Sequence, residues 1–177
     1  MDEKTEFTFD ELEGWAKKNA LHQLIEWNAC NDSCVEEDFS SLDTMMNRIG
    51  CKYETYSYDG VSWNMWLKPS DIYLDDEPEP ISSDGYFIGE SMAEAFNKHM
   101  PMLRALWSVA NECEYGSTRW LLASGAYESE YMKAADDALQ CACRDITDEC
   151  DSHMTEEYWS EMCENNDWLF DRYGEWI

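Results

Sequence analysis

The sequence predicts an α+β fold, mainly helical, with one β-hairpin at about residues 51–68. Three observations carry that expectation. Apolar residues recur at three-and-four spacing through most of the chain, as one buried helix face requires. One stretch, 51–67, switches to an aromatic-rich, partly alternating pattern on either side of Asp59-Gly60. The 177 residues are 44% hydrophobic, with nine Trp, ten Tyr, six Phe and only four Pro, which separates this acidic chain from the aromatic-poor acidic segments that stay unfolded. A single acidic domain over 1–177 is expected, and the acidic, proline-rich stretch 69–85 is where it would subdivide.

Taken in order, Thr8-Phe9-Asp10-Glu11 reads as a capping box opening a helix that runs to about Ala29. Leu12, Trp15, Ala16, Ala20, Leu24 and Trp27 would be its buried face. A polar connection at 31–38 leads to a short helix over roughly Ser41–Ile49, closed by Gly50. Strands at 51–57 and 61–67 follow, joined at Asp59-Gly60, a pair suited to a two-residue turn because both central residues need positive φ. Three of the four prolines fall in 69–85, a loop with room for a short edge strand at Ile72–Leu74.

Met92, Ala95, Phe96, Met100, Leu103, Leu106, Trp107 and Ala110 continue a helical period that Pro101 kinks or restarts. A short helical piece at Trp120–Ala123 is expected to end at Gly125. A helix from about Tyr127 to Cys150 then carries a stripe of Tyr131, Ala135, Ala138, Ala142 and Ile146. A last helix opens at the N-cap Thr155, with Trp159, Met162, Leu169 and Tyr173 facing inward.

Charge dominates everything else. Thirty-nine Asp and Glu face twelve Lys and Arg, a formal net charge of −27. That is far beyond the few units that keep a domain in solution, and its self-repulsion opposes folding. A field of this strength suits a strongly basic partner, and nucleic-acid-binding proteins supply such surfaces.

The acidic residues fall into four groups. Positions 157, 161, 164, 168, 171 and 175 are spaced four-three-four-three-four and hold Glu157, Glu161, Glu164, Trp168, Asp171 and Glu175, which on one helix would make a nearly pure carboxylate face. Glu3, Glu6, Asp10 and Glu13 repeat the spacing at the start of the chain. Asp145, Asp148, Glu149 and Asp151 form a third group, and Asp75, Asp76, Glu77 and Glu79 a fourth. Like charges at these spacings cost about 0.2–0.5 kcal/mol per pair on an isolated helix. Their Cβ atoms stand about 5–6 Å apart, near the spacing of consecutive phosphates on one DNA strand. A solvated charged face is the plainer explanation for any one group. Four groups with few countercharges point to a binding surface for a basic partner.

In this charge pattern the chain resembles the phage- and plasmid-encoded DNA-mimic inhibitors, the anti-restriction and anti-CRISPR proteins and the inhibitors of DNA-repair enzymes. The resemblance lies in overall acidity and in the stripes Glu157–Glu175 and Glu3–Glu13. It rests on no signature motif, so no residue role is transferred. It implies a non-catalytic inhibitor occupying the nucleic-acid groove of a bacterial defence enzyme (a restriction complex, a Cas effector or a repair nuclease), with no cofactor and no direct contact with nucleic acid. The alternative with the same electrostatics is an immunity protein or antitoxin neutralising a basic nuclease toxin. A protein from a salt-adapted organism is a third class, for which nine Trp and eight Cys are unexpected.

Catalytic readings find little support. His22, His99 and His153 have no nucleophile placed beside them by motif. The eight glycines form no phosphate loop. The acidic run 145–151 lacks the glycine of a calcium loop. The eight cysteines show no CxxC pair and read as reduced, small apolar residues. A metal-dependent nuclease would repel its own substrate. The opening residues have neither the basic nor the apolar region of a secretory signal, and no run is long and apolar enough for a membrane span, so a cytoplasmic location is expected.

Overall fold

A computed structural model describes residues 5–30, 33–59, 64–72, 77–83, 85 and 88–177. The protein is α+β and mainly helical. In chain order the elements are β1 (Phe7–Thr8), a 3₁₀ turn (Phe9–Glu11), α1 (Gly14–Cys30), α2 (Ser33–Ile49), β2 (Cys51–Asp59) and β3 (Asn64–Ile72). Then come α3 (Gly89–Asn97), α4 (Met100–Asn111), α5 (Thr118–Ser152), α6 (Glu156–Asn165) and β4 (Leu169–Phe170). Two compact units result: one combines Met1–Ser33 with Asp148–Ile177, the other is Cys34–Thr147. The second boundary falls inside α5, and the stretch 69–85 lies wholly within the second unit.

In the first unit the two ends of the chain meet. β1 and β4 pair antiparallel, Phe7 opposite Phe170 and Thr8 opposite Leu169. The pairing seats Phe9 against Phe170 edge-to-face at 6.0 Å and builds a core from Phe9, Leu12, Ala20, Leu24, Trp159, Cys163 and Phe170. Thr8 does cap a turn, its N–H donating to Glu11 Oε2 at 2.9 Å. What it opens is the single 3₁₀ turn and not α1, which starts at Gly14 with φ +56. The expected inner face of α1 is half right: Leu12, Ala20 and Leu24 are buried, whereas Trp15 is 67% exposed and Trp27 42%. Trp27 packs instead edge-to-face on Trp168 and Trp176. Gly174 closes the unit with φ +76; a Cβ there would stand 2.0 Å from the Ala16 carbonyl oxygen, so only glycine fits.

Helix α2, which belongs to the second unit from Cys34 onward, begins at Ser33, eight residues before the predicted start, so most of the expected polar connection is helix. It ends, as predicted, at Gly50, φ +69. The hairpin exists, with Asp59 paired to Asn64. That register leaves residues 60–63 between the strands and puts Asp59 in β2, so the connection is not a two-residue Asp-Gly turn; Gly60 itself lies outside the described residues. β3 continues through Pro69 to Ile72, where a loop was expected, with an irregularity between Cys51 and Tyr53 where Pro69 enters the register. Residues 73 and 74 of the expected edge strand lie outside the described residues.

Pro101 restarts the helical run: it stands in the first turn of α4, where its missing N–H costs nothing. Gly125 does not interrupt α5, a helix of 35 residues. Its stripe is broader than predicted, with Ala134, Leu139 and Cys143 buried beside Ala135, Ala138, Ala142 and Ile146. Tyr131 anchors it by donating to the Ile49 carbonyl at 2.6 Å. Cys51, Cys143, Cys150 and Cys163 are buried thiols that pack as small apolar groups. Among the described residues no helix is long and apolar enough to cross a membrane.

Candidate functional acidic face

Helix α6 supplies an acidic surface. Thr155 caps it, its hydroxyl accepting the Tyr158 N–H at 3.2 Å. Trp159 and Cys163, four residues apart, are buried, and the Trp159 indole N–H donates to the His153 carbonyl at 2.8 Å. Those anchors set the helix rotation and turn Glu157, Glu161 and Glu164 to solvent. The 3₁₀ turn adds Asp10, whose Oδ1 accepts the Ser160 hydroxyl at 2.8 Å. Asp10, Glu156, Glu157, Ser160, Glu161 and Glu164 together line an open cleft of about 500 Å³.

Among the described residues, one cation enters this face. Lys17 Nζ lies 2.9 Å from Glu156 and 3.5 Å from Asp10. The hydrogen bond to Glu156, opposed by partial burial and helped by the charge of Asp10, raises its pKa and keeps it charged. Asp10 and Glu156 are thereby neutralised in part. Glu157, Glu161 and Glu164 form no ion pair among the described residues, so their charge is available outward. Neither Lys17 nor Ser160 was signalled by the sequence, since the contacts of Lys17 with Glu156 and of Ser160 with Asp10 span 139 and 150 positions. Glu156 was legible as the residue after the N-cap.

The C-terminal half of the predicted stripe is elsewhere. The helix stops at Asn165, and Asp167 takes the left-handed conformation, φ +54. The Trp168 N–H then reaches the Cys163 carbonyl at 3.0 Å and the Asp167 N–H the Glu164 carbonyl at 3.3 Å, a Schellman closure built on Asp. Asp171 is spent on structure: its Oδ1 accepts the N–H groups of Tyr173 at 2.8 Å and Glu175 at 2.9 Å. Glu175 is exposed beyond that turn. Five carboxylates on one helix face are therefore reduced to three.

The N-terminal stripe dissolves for the same reason. Glu6 precedes a strand, Asp10 is in the 3₁₀ turn and Glu13 in the link before α1, so three-and-four spacing does not place them on one face; Glu3 lies outside the described residues. Of the third group, Asp145 is half-buried, accepting the Ser91 hydroxyl and standing 3.6 Å from Arg144 Nε. Glu149 lies 3.4 Å from the ring of His153, and Asp148 and Asp151 are exposed. All four are on α5, so the run 145–151 is helix and cannot wrap a cation as a loop. Of the fourth group, Asp75 and Asp76 lie outside the described residues, while Glu77 and Glu79 are exposed. Their segment is held by backbone contacts: Asn97 accepts and donates to Ile81 at 3.0 and 2.9 Å, Arg48 donates to the Ser82 carbonyl at 2.8 Å and Arg104 to that of Pro78 at 3.4 Å. Two of the few arginines thus donate to backbone carbonyls.

One constellation had no signal in the sequence. His99, at the start of α4, bridges two carboxylates of α5, Nδ1 to Glu130 at 2.7 Å and Nε2 to Asp137 at 2.9 Å. The ring is largely buried and joins α4 to α5. His22 is exposed beside Glu26, and His153 is buried against Tyr158.

Comparison of the chain with protein-family models, with curated proteins and with solved structures returns no match.

Proposed function

We propose that this protein is a non-catalytic inhibitor that acts as a DNA mimic, presenting carboxylates where a basic enzyme expects phosphates. The observation that carries the reading is the solvent face of α6, where Glu157, Glu161 and Glu164 stand together with no countercharge among the described residues. Lys17 settles the inner rim at Asp10 and Glu156 and leaves the outer row charged. The partner is a nucleic-acid-binding protein of a bacterial defence or repair system, met in the cytoplasm of the host cell. Its basic groove is drawn in by a field from a net charge of −27.

The test is capture of partners from bacterial lysate on the immobilised protein at low salt, followed by elution with salt or with duplex DNA. A basic DNA-binding protein released by both is the expected result. Replacing Glu157, Glu161 and Glu164 together by Gln should weaken its binding at least about tenfold, or about 1.4 kcal/mol. A gel shift of naked DNA by the pure protein, or simultaneous binding of DNA and this protein to the captured partner, would overturn groove occupation. Capture of one nuclease toxin, encoded beside this gene, would assign the immunity-protein role instead.

A further inference from the structure

A second cavity adjoins the open acidic cleft and shares Asp10, Ser160 and Glu164 with it. It measures about 330 Å³ and lies wholly within the first unit, between the 3₁₀ turn and the end of α6. That volume is in the range of ligand pockets, about 300–1,000 Å³. Its lining is of two kinds. Phe9, Trp168 and Leu169 supply apolar surface, and Asp10, Glu164 and Asp167 supply carboxylates. Among the described residues none that lines it is basic.

The aromatic wall is fixed in advance. Trp168 packs on Trp176 at 4.4 Å, edge-to-face on Trp27 at 5.9 Å and stacked on Trp159 at 6.5 Å. A wall held in this way loses little freedom when it is covered. Asp167 stands at φ +54, a position that glycine takes at less cost, and what aspartate adds there is a carboxylate in the cavity lining.

One contact within the unit shows what such a lining accepts. Lys17 Nζ stands 5.1 Å from the centre of the Phe9 ring and 3.5 Å from Asp10, a cation seated between an aromatic ring and a carboxylate. The second cavity offers the same pairing with an indole, the best of the rings for a cation, and with two further carboxylates. Three carboxylates repel an anion and would stay unpaired against an apolar group. Between two cations, shape decides. A guanidinium is planar, stacks on aromatic faces and forks to carboxylates, whereas an ammonium is a strongly hydrated point charge. We infer that this cavity receives an arginine side chain of the basic partner, its stem along Phe9 and Leu169 and its guanidinium on Trp168 among the three carboxylates. The inference rests on the basic-partner reading and adds to it one anchor that tells arginine from lysine.

The test titrates hexa-arginine and hexa-lysine, equal in length and charge, into the full chain by calorimetry at moderate ionic strength. Hexa-arginine should bind at least about fivefold more tightly and shift the indole resonance of Trp168, which hexa-lysine leaves in place. Trp168→Leu should bring the two affinities within about twofold of each other. Asp167→Asn, which keeps a residue that tolerates the left-handed position, should cut the arginine preference at least about twofold without disturbing the Trp cluster. Glu157→Gln with Glu161→Gln, outside this cavity, should weaken both peptides alike. A larger loss for hexa-arginine in that variant would place the selectivity on the outer row, against the pocket. Equal affinities in the parent, or a preference that Trp168→Leu and Asp167→Asn both leave intact, overturn the arginine pocket and leave the basic-partner reading standing. Failure of both peptides to bind at low salt overturns the two together.

Discussion

Helix α6 and the C-terminal turn that follows it carry the same residue types at one unbroken four-three spacing, yet they use their carboxylates in opposite ways. Glu157, Glu161 and Glu164 project from a helix whose inner side is pinned by Trp159 and Cys163, and among the described residues they form no ion pair. Asp171, seven positions after Glu164, is consumed by two backbone N–H groups and shapes the reversal that brings Gly174 against α1. A carboxylate that holds the fold cannot also be offered whole to a partner. The net charge therefore overstates the binding surface, and the difference between the two regions says which acids to count.

The largest effect should come from the structural region. Gly174→Ala places a methyl group against the Ala16 carbonyl and forces alanine into φ +76, so a loss above about 3 kcal/mol is expected. Urea unfolding measures it, and a loss under about 1 kcal/mol would mean that this contact does not hold the ends together. Asp171→Ala should cost about 1–2 kcal/mol by removing the acceptor of two backbone donors. Partner affinity, measured below the unfolding transition, should stay near that of the parent. A variant that keeps its stability and loses binding would erase the distinction drawn here.

Smaller effects sharpen the same contrast. Asp167→Gly should gain about 0.5–1 kcal/mol, since glycine takes the left-handed position without the penalty that Asp bears there. Replacing Glu157, Glu161 and Glu164 by Gln should change stability by less than about 0.5 kcal/mol, because lost repulsion between neighbours is offset by lost attraction of Glu157 to the helix N-terminus. That variant isolates binding from folding. Melting temperature of the parent should rise from low to moderate ionic strength, as the uncompensated carboxylates repel one another less. The rise should be smaller in the triple Gln variant, and an equal rise would place the repulsion in other acidic groups.

The buried thiols give a different pH window. Burial pushes the thiols of Cys51 and Cys163 up to about 11 from an ordinary 9.0. A group held neutral by folding contributes its full share below the unfolded pKa and loses it as pH climbs through the folded one. Stability should therefore fall between about pH 9 and 11. Replacing Cys163 by Ala, which cannot ionise, should flatten part of that decline; an unchanged slope would show that the thiol titrates normally.

By itself the sequence determined the features that rest on a few neighbouring residues. Gly50 ends α2, Pro101 starts α4, Thr155 caps α6, and the change of period at 51–67 marks a hairpin, because each is local backbone chemistry. The sequence also settled that the surface is acidic, since 39 carboxylates cannot be buried. The tertiary structure decided which carboxylates remain free. β1 meets β4 across some 160 residues, and that pairing cuts the N-terminal stripe, exposes Trp15 and pulls the C-terminal residues out of the helical register. Asp167 ends α6 in a conformation that glycine would have announced and aspartate hides. Periodicity is a property of a continuing helix, and where a helix stops depends on what its last turn packs against.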